Sequence, residues 1–190
     1  MALSSIELCS SALVKLGAES ISSFDDGSAE ARVASRLYPL LRDALLSTHP
    51  WSFATRQTEL ARLTDAPTTP FEYAYQLPND FLKALSAGNG GRGRGLVYQL
   101  VNRQVHTDAE SVLLTYVFRP SEGDFPAYFN AALVARLAAE FCLPLTENSS
   151  RAERLSRLAE AELKVAKLVD SQQDTPPRVE DFTLIRARSQ

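Results

Sequence analysis

Phe129, Leu133, Leu137 and Phe141 recur every four residues in a stretch poor in charge. That interval is close to one helical turn, so the four side chains share a face, which Val134 and Ala138 widen. Ala127, Ala131, Ala132, Ala135, Ala138 and Ala139 leave room for neighbouring helices to come close. A helix this apolar needs burial on most of its circumference, so the chain must supply other helices to cover it. Asp124 and Pro126 are start signals for it, and Pro144 predicts its end.

Three further segments have the matching period. Residues 4–16 place Ile6, Cys9, Leu13 and Leu16 on one face, and Gly17 is a natural stop. Ser28 then caps a second helix, with Glu30 in its first turn, where the helix dipole favours a carboxylate. Its apolar face is Val33, Leu37, Leu40, Leu41, Ala44 and Leu45; Pro39 predicts a kink, and Pro50 requires the helix to end before it. The last helix is predicted from a Ser150–Glu153 capping box to about residue 170. Leu155, Leu158, Ala161, Val165 and Leu168 form its apolar stripe, with Arg and Glu opposite.

The middle of the chain changes period. Residues 51–63 fit helix or strand equally, and Pro67 and Pro70 mark a loop. Residues 71–77 alternate aromatic and polar side chains up to Pro78, while 96–101 and 112–118 are β-branched and aromatic. Residues 106–111 read as a turn between those runs. The expected architecture is α+β and mainly α: about four helices in a bundle formed by residues 1–66 and 121–173, with a small antiparallel β subdomain, 67–120, inserted. An extended C-terminal tail, 174–190, completes the chain. Pro176 and Pro177 break any helix there, and the tail still carries Val179, Phe182, Leu184 and Ile185. Phe182 and Leu184 are spaced as in an added strand or an extended peptide seated on a partner, the alternatives being a disordered terminus or a segment packed back on its own domain.

The chain has 190 residues and a net charge of −3, so it lacks the basic excess that sequence-independent DNA binding uses. Residues 3–14 are too polar and too short for a signal sequence or a membrane span, and no later run reaches about 18 uninterrupted apolar residues, so a soluble protein made in a cytoplasm is expected. Cys9 and Cys142 fall on apolar helix stripes and read as small buried hydrophobes.

No motif for chemistry emerges. His49 and His106 have no metal-spaced partner, and neither a Gly-x-Ser-x-Gly elbow nor a His-Glu-x-x-His helix is present. Asp25 and Asp26 beside Gly27 suit a capping loop, and Asp80 after Pro78-Asn79 a turn or cap. The glycine- and arginine-rich stretch 88–95 lacks the lysine and hydroxyl of a phosphate loop and leads towards a strand. It reads as a hairpin tip, or as a loop whose Arg92 and Arg94 touch DNA or a neighbouring subunit. His49-Pro50-Trp51-Ser52-Phe53 holds the only tryptophan and is read as an anchor for a helix end. No enzyme activity and no cofactor are expected.

Tyr38-Pro39-Leu40-Leu41-Arg42-Asp43-Ala44-Leu45-Leu46 followed by His49-Pro50-Trp51-Ser52-Phe53-Ala54 resembles the signature of phage tail tubular protein A, the head-to-tail adaptor of short-tailed phages. Tyr75-Gln76-Leu77-Pro78-Asn79-Asp80-Phe81 is similar to a second segment of that family, and 133–145 to its alanine-rich helix. The resemblance runs from the first helix to about residue 169, leaving out the glycine- and arginine-rich loop and the tail. It implies a structural virion protein: a ring, commonly of twelve copies, under the portal protein, assembled in the host bacterial cytoplasm. The ring joins the portal to a tail or nozzle protein and lets double-stranded DNA pass without sequence-specific binding and without a membrane. It also implies a portal-docking role for the C-terminal segment, here Val179, Phe182, Leu184, Ile185, Arg186 and Arg188. Tyr38, Pro39, Arg42, His49, Pro50, Trp51 and Phe53 become its structural anchors. Wide apolar helical stripes fit head-to-tail packing of copies, and a mildly acidic chain avoids gripping sliding DNA.

Three other classes compete. One is another neck or tail component, such as a stopper or tail terminator. A second is a small helical nucleic-acid-binding protein using Arg92 and Arg94. The third is a tail-associated cell-wall hydrolase, for which no supporting carboxylate pair is found.

Overall fold

The first helix begins where a hydroxyl and a carboxylate answer each other. Ser4 Oγ accepts the Glu7 amide at 3.2 Å and Glu7 Oε2 accepts the Ser4 amide at 2.7 Å, a closed capping box at the head of α1, Ser5–Lys15. Gly17, at φ +68°, closes its other end, with the Ala18 amide reaching back to the Leu13 carbonyl. The computed structural model describes residues 3–89 and 94–173.

α2, Ala29–Ser47, starts at Ser28, whose Oγ accepts the Ala31 amide at 3.0 Å. It runs on through Pro39, whose ring lies on the exposed side. Pro39 removes one hydrogen bond but does not end the helix. A short 3-10 turn, Ser52–Ala54, leads straight into β1, Thr55–Glu59. This settles the ambiguous 51–63 stretch, and the strand lies ahead of residue 67.

Two three-stranded antiparallel sheets are built from β1 together with β2 (Tyr73–Gln76), β3 (Phe81–Gly88), β4 (Gln99–Val101), β5 (Gln104–Thr107) and β6 (Leu113–Phe118). One has the order β1-β6-β3 and the other β2-β5-β4. The expected turn at 106–111 is corrected at its start: His106 and Thr107 are the end of β5. The tight turn is Asn102-Arg103, both at positive φ, which suits the twist of a two-residue hairpin without any glycine. β3 was not foreseen; register shifts after Phe81 and after Ala84 break its alternation.

α3, Ala127–Thr146, is the central helix, packing on α1 and α2 and on α4, Ser149–Ser171. Among the described residues it alone is long and apolar enough by composition to span a membrane, and much of that length is buried inside the fold. Pro144 does not end it. The helix continues to Thr146 and is closed by Glu147 at φ +52°, with its amide on the Leu143 carbonyl at 3.0 Å. The start of α4 is also corrected: Asn148 is the cap, accepting the Arg151 amide at 2.9 Å, and Ser150 lies within the first turn. Cys9 and Cys142 are free and buried.

Of the apolar stripe expected on α4, Leu155 faces the core and the rest turns outward. Leu158, Val165 and Leu168 are 60%, 56% and 61% exposed. Beside Leu155, the helix meets its neighbours through Ala159, Leu163 and Ala166, which the stripe did not include. The α3 surface it covers contains Ala135 and Ala139, and that close approach selects small side chains. A second core lies among the strands, around Tyr75, Val105, Val112, Leu114 and Tyr116.

Candidate functional site: two polar anchors and two apolar surfaces

The Trp51 region gathers the ends of three helices. Trp51 is fully buried, with its Nε1–H donating to the Leu45 carbonyl at 3.2 Å, so it folds back over the end of α2. Its ring meets Phe129 edge-on at 5.2 Å and His49 at 4.9 Å, and Phe53 sits 5.0 Å from Phe129. Pro50 is exposed at the entry to this cluster.

Beneath it sits Asp170, only 3% exposed, from the last turn of α4. Its carboxylate accepts the Ser52 amide at 3.1 Å, Ser52 Oγ at 2.8 Å and Tyr128 Oη at 2.7 Å. His49 Nε2 lies 3.4 Å away. Burial lowers the His49 pKa below its ordinary value despite the neighbouring carboxylate. Burial and the bond to Asp170 push Tyr128 up to about 12. Ser, His and Asp therefore meet, but both Ser52 and His49 point at the carboxylate. A nucleophile must hydrogen-bond to the base itself, and that link is missing, so the arrangement fastens and does not activate.

The second anchor joins α2 to the segment after β6. Tyr38 Oη and Arg42 Nη1 both donate to Glu122 Oε1 at 3.0 Å. Arg42 Nε reaches Asp43 at 2.9 Å, and Arg119 grips Asp43 with two bonds of 3.0 and 2.6 Å. The Arg42 guanidinium also lies 5.6 Å from the centre of the Tyr38 ring. Burial raises the Glu122 carboxyl, but hydrogen bonds from its own amide, Tyr38 and Arg42 outweigh that and leave it below its ordinary value. Burial, then the Glu122 charge, raises the Tyr38 hydroxyl.

The anchor residues named from sequence thus fall into two groups, Tyr38 with Arg42 and His49 with Trp51 and Phe53. Their partners Glu122, Arg119, Tyr128 and Asp170 were missed, and no local signal marks them. Asp80 is more than a turn residue: its carboxylate accepts Tyr116 Oη at 3.1 Å and lies 3.4 Å from Arg56. Asp26 accepts both the amide and the hydroxyl of Ser28, the expected loop-capping role. His106 is buried between Thr69 Oγ1 and Gln104 Oε1. Arg94 is exposed. Arg92 and the tail residues Val179, Phe182, Leu184, Ile185, Arg186 and Arg188 lie outside the described residues. Among the described residues no group of three His, Cys, Asp or Glu is placed to hold a metal.

Among the described residues, two apolar surfaces stand open on the helices. One is the outward stripe of α4, where Leu158, Ala161, Val165 and Leu168 are spaced three, four and three apart, the interval of a helix seam. The other is a shallow depression of about 430 Å³ beside α2 and the end of α3, with Val33, Leu37, Pro144 and Leu145 in its lining and Arg32 and Arg36 at its rim. No protein-family model matches the chain, and no curated protein does.

Proposed function

We propose that the protein is a structural adaptor of a phage neck, a ring of identical copies joining a portal to a tail and leaving a passage for DNA. The observation that carries this reading is the outward stripe of α4. Three large apolar side chains, each more than half exposed and set at seam spacing, suit a contact with another helix. Nothing in the described chain covers them, and a second copy offers a different surface to receive them, which is the requirement for a head-to-tail ring. The use of the signature residues agrees. Tyr38, Arg42, His49, Trp51 and Phe53 hold the helices and the first strand in fixed relation, as a ring component needs. The C-terminal segment is the portal-binding element in this reading.

The test is to mix the purified chain with the portal of the phage that encodes it. Mass photometry and electron microscopy should show rings of the chain seated on the portal. A chain that stays monomeric and unbound at micromolar concentration overturns the proposal.

A further inference from the structure

The outward stripe of α4 has a counterpart on α2. Leu37, Leu40, Ala44 and Ser47 follow one another at intervals of three, four and three, the same intervals as Leu158, Ala161, Val165 and Leu168. Leu40 is 68% exposed, Ala44 is exposed, and Leu37 and Ser47 are half-buried. The surface beside this face is hollow. The depression already described flanks Leu37, and a second one, of about 200 Å³, is lined by Leu41, Ala44 and Thr48 of α2 and its cap, Arg136 of α3 and Leu163 of α4.

The two faces fit each other when the helices run the same way. Leu37 then meets Leu158, Leu40 meets Ala161, Ala44 meets Val165 and Ser47 meets Leu168, so a small side chain opposes a large one in every layer but the first. The Ser47 hydroxyl already bonds the Asp43 carbonyl at 2.8 Å and needs no other partner there. Charge decides the direction. Arg36 comes one place before Leu37 and Glu162 four places after Leu158, the positions that pair across a parallel seam. Both are exposed, and neither has an ion pair with another described residue. An antiparallel seam would set Arg36 beside Lys164 instead.

The layout of one copy suits repetition. At about 100° per residue, Leu163 and the centre of the stripe lie about 180° apart around α4. The hollow and the stripe therefore face away from each other, so a chain cannot fill its own hollow but the next copy can. Within a chain α2 and α4 run the same way: α2 begins beside the end of α3, where α4 starts, and both finish at the link between Ser52 and Asp170. Rotation about an axis along these helices keeps that direction in every copy, and it is the direction the charges require. We infer that the stripe of α4 lies along Leu37, Leu40, Ala44 and Ser47 on α2 of the next copy, parallel to it, with Glu162 facing Arg36 across the seam. The inference rests on reading the stripe as a contact between copies, and it adds the surface that receives it.

The experiment uses the full chain without portal, in two populations. One carries Leu40→Cys and the other Ala161→Cys; both positions are exposed, so the core is undisturbed, and Cys9 and Cys142 are buried away from the reaction. Mixed at high concentration and mildly oxidised, the populations should give a disulfide-linked pair of unlike chains, while neither population alone should dimerise. Adding Arg36→Glu to the first population should lower the yield about fivefold, and adding Glu162→Arg to the second should restore it. Dimers of the Ala161→Cys population alone would assign the stripe to a second α4 and overturn the inference. So would a yield indifferent to charge reversal, or no linkage in the mixture. The adaptor reading is judged separately. Rings on a portal that lack the disulfide between positions 40 and 161 would keep that reading and remove this seam, and linked chains that never bind a portal would do the reverse.

Discussion

Ser52 and Asp170, 118 positions apart, are joined through both the amide and the hydroxyl of the serine to one buried carboxylate. This relationship ties the end of α4 to the turn between α2 and β1. Asp170→Ala leaves the Ser52 amide and the Tyr128 hydroxyl without their acceptor in a dry site. It should cost about 2–4 kcal/mol, and Asp170→Asn less. Urea unfolding checks this: a lower midpoint at unchanged slope is expected, and a wild-type midpoint for the alanine variant contradicts it.

The cap of α4 is Asn148, where the sequence pointed to Ser150. Asn148→Ala should lose about 1 kcal/mol, because the Arg151 amide loses its acceptor. Ser150→Ala should be near neutral, since Ser150 sits inside the first turn. Thermal melts of the two variants are enough; equal losses would restore the capping box.

Two titrations should act in separate pH windows. His49 has a lowered pKa in the folded chain, so the unfolded chain binds its proton more readily. Its contribution is intact above the ordinary value of 6.5 and declines as pH falls below it. Glu122 is also lowered, but as an acid its contribution is intact above the ordinary 4.5 and is lost as pH falls below that. Unfolding free energy measured from pH 8 to pH 3 should drop in two stages. His49→Gln should flatten the first, and Glu122→Gln the second.

The outward stripe gives a variant that divides folding from assembly. Leu158→Glu with Leu168→Glu places charge on positions that are already wet, so the monomer should keep its stability within about 0.5 kcal/mol. Ring formation on a portal should be lost. Intact rings would remove the stripe from the subunit contact.

The helices were the readable part of this chain, because their ends have local chemistry. Ser28 with its amide partner and Gly17 at positive φ need nothing beyond a few neighbouring residues. The four-helix count and the α+β class came from periods alone. The stripe on α4 shows where period fails. Periodicity marks an apolar face but does not say which of two faces turns inward, and size favoured Leu158, Val165 and Leu168. The alanine surface of α3 reversed that choice by admitting Ala159. Both polar anchors were half legible. Tyr38, Arg42 and His49 stood out, while Glu122 and Asp170 acquire meaning only when the chain brings them 80 and 118 positions back. β3 was hidden by its register shifts, and Asn102-Arg103 by the lack of glycine.

The fastening of Asp170 also has a mechanical side. A pull on the C-terminal segment travels first into the final turn of α4, and from there into Ser52, Tyr128 and the aromatic rings around Trp51. From Ser52 the line continues through a single 3-10 turn into β1. Tension applied at the C-terminal end is therefore shared between the aromatic corner of the helices and the first strand, through one buried carboxylate.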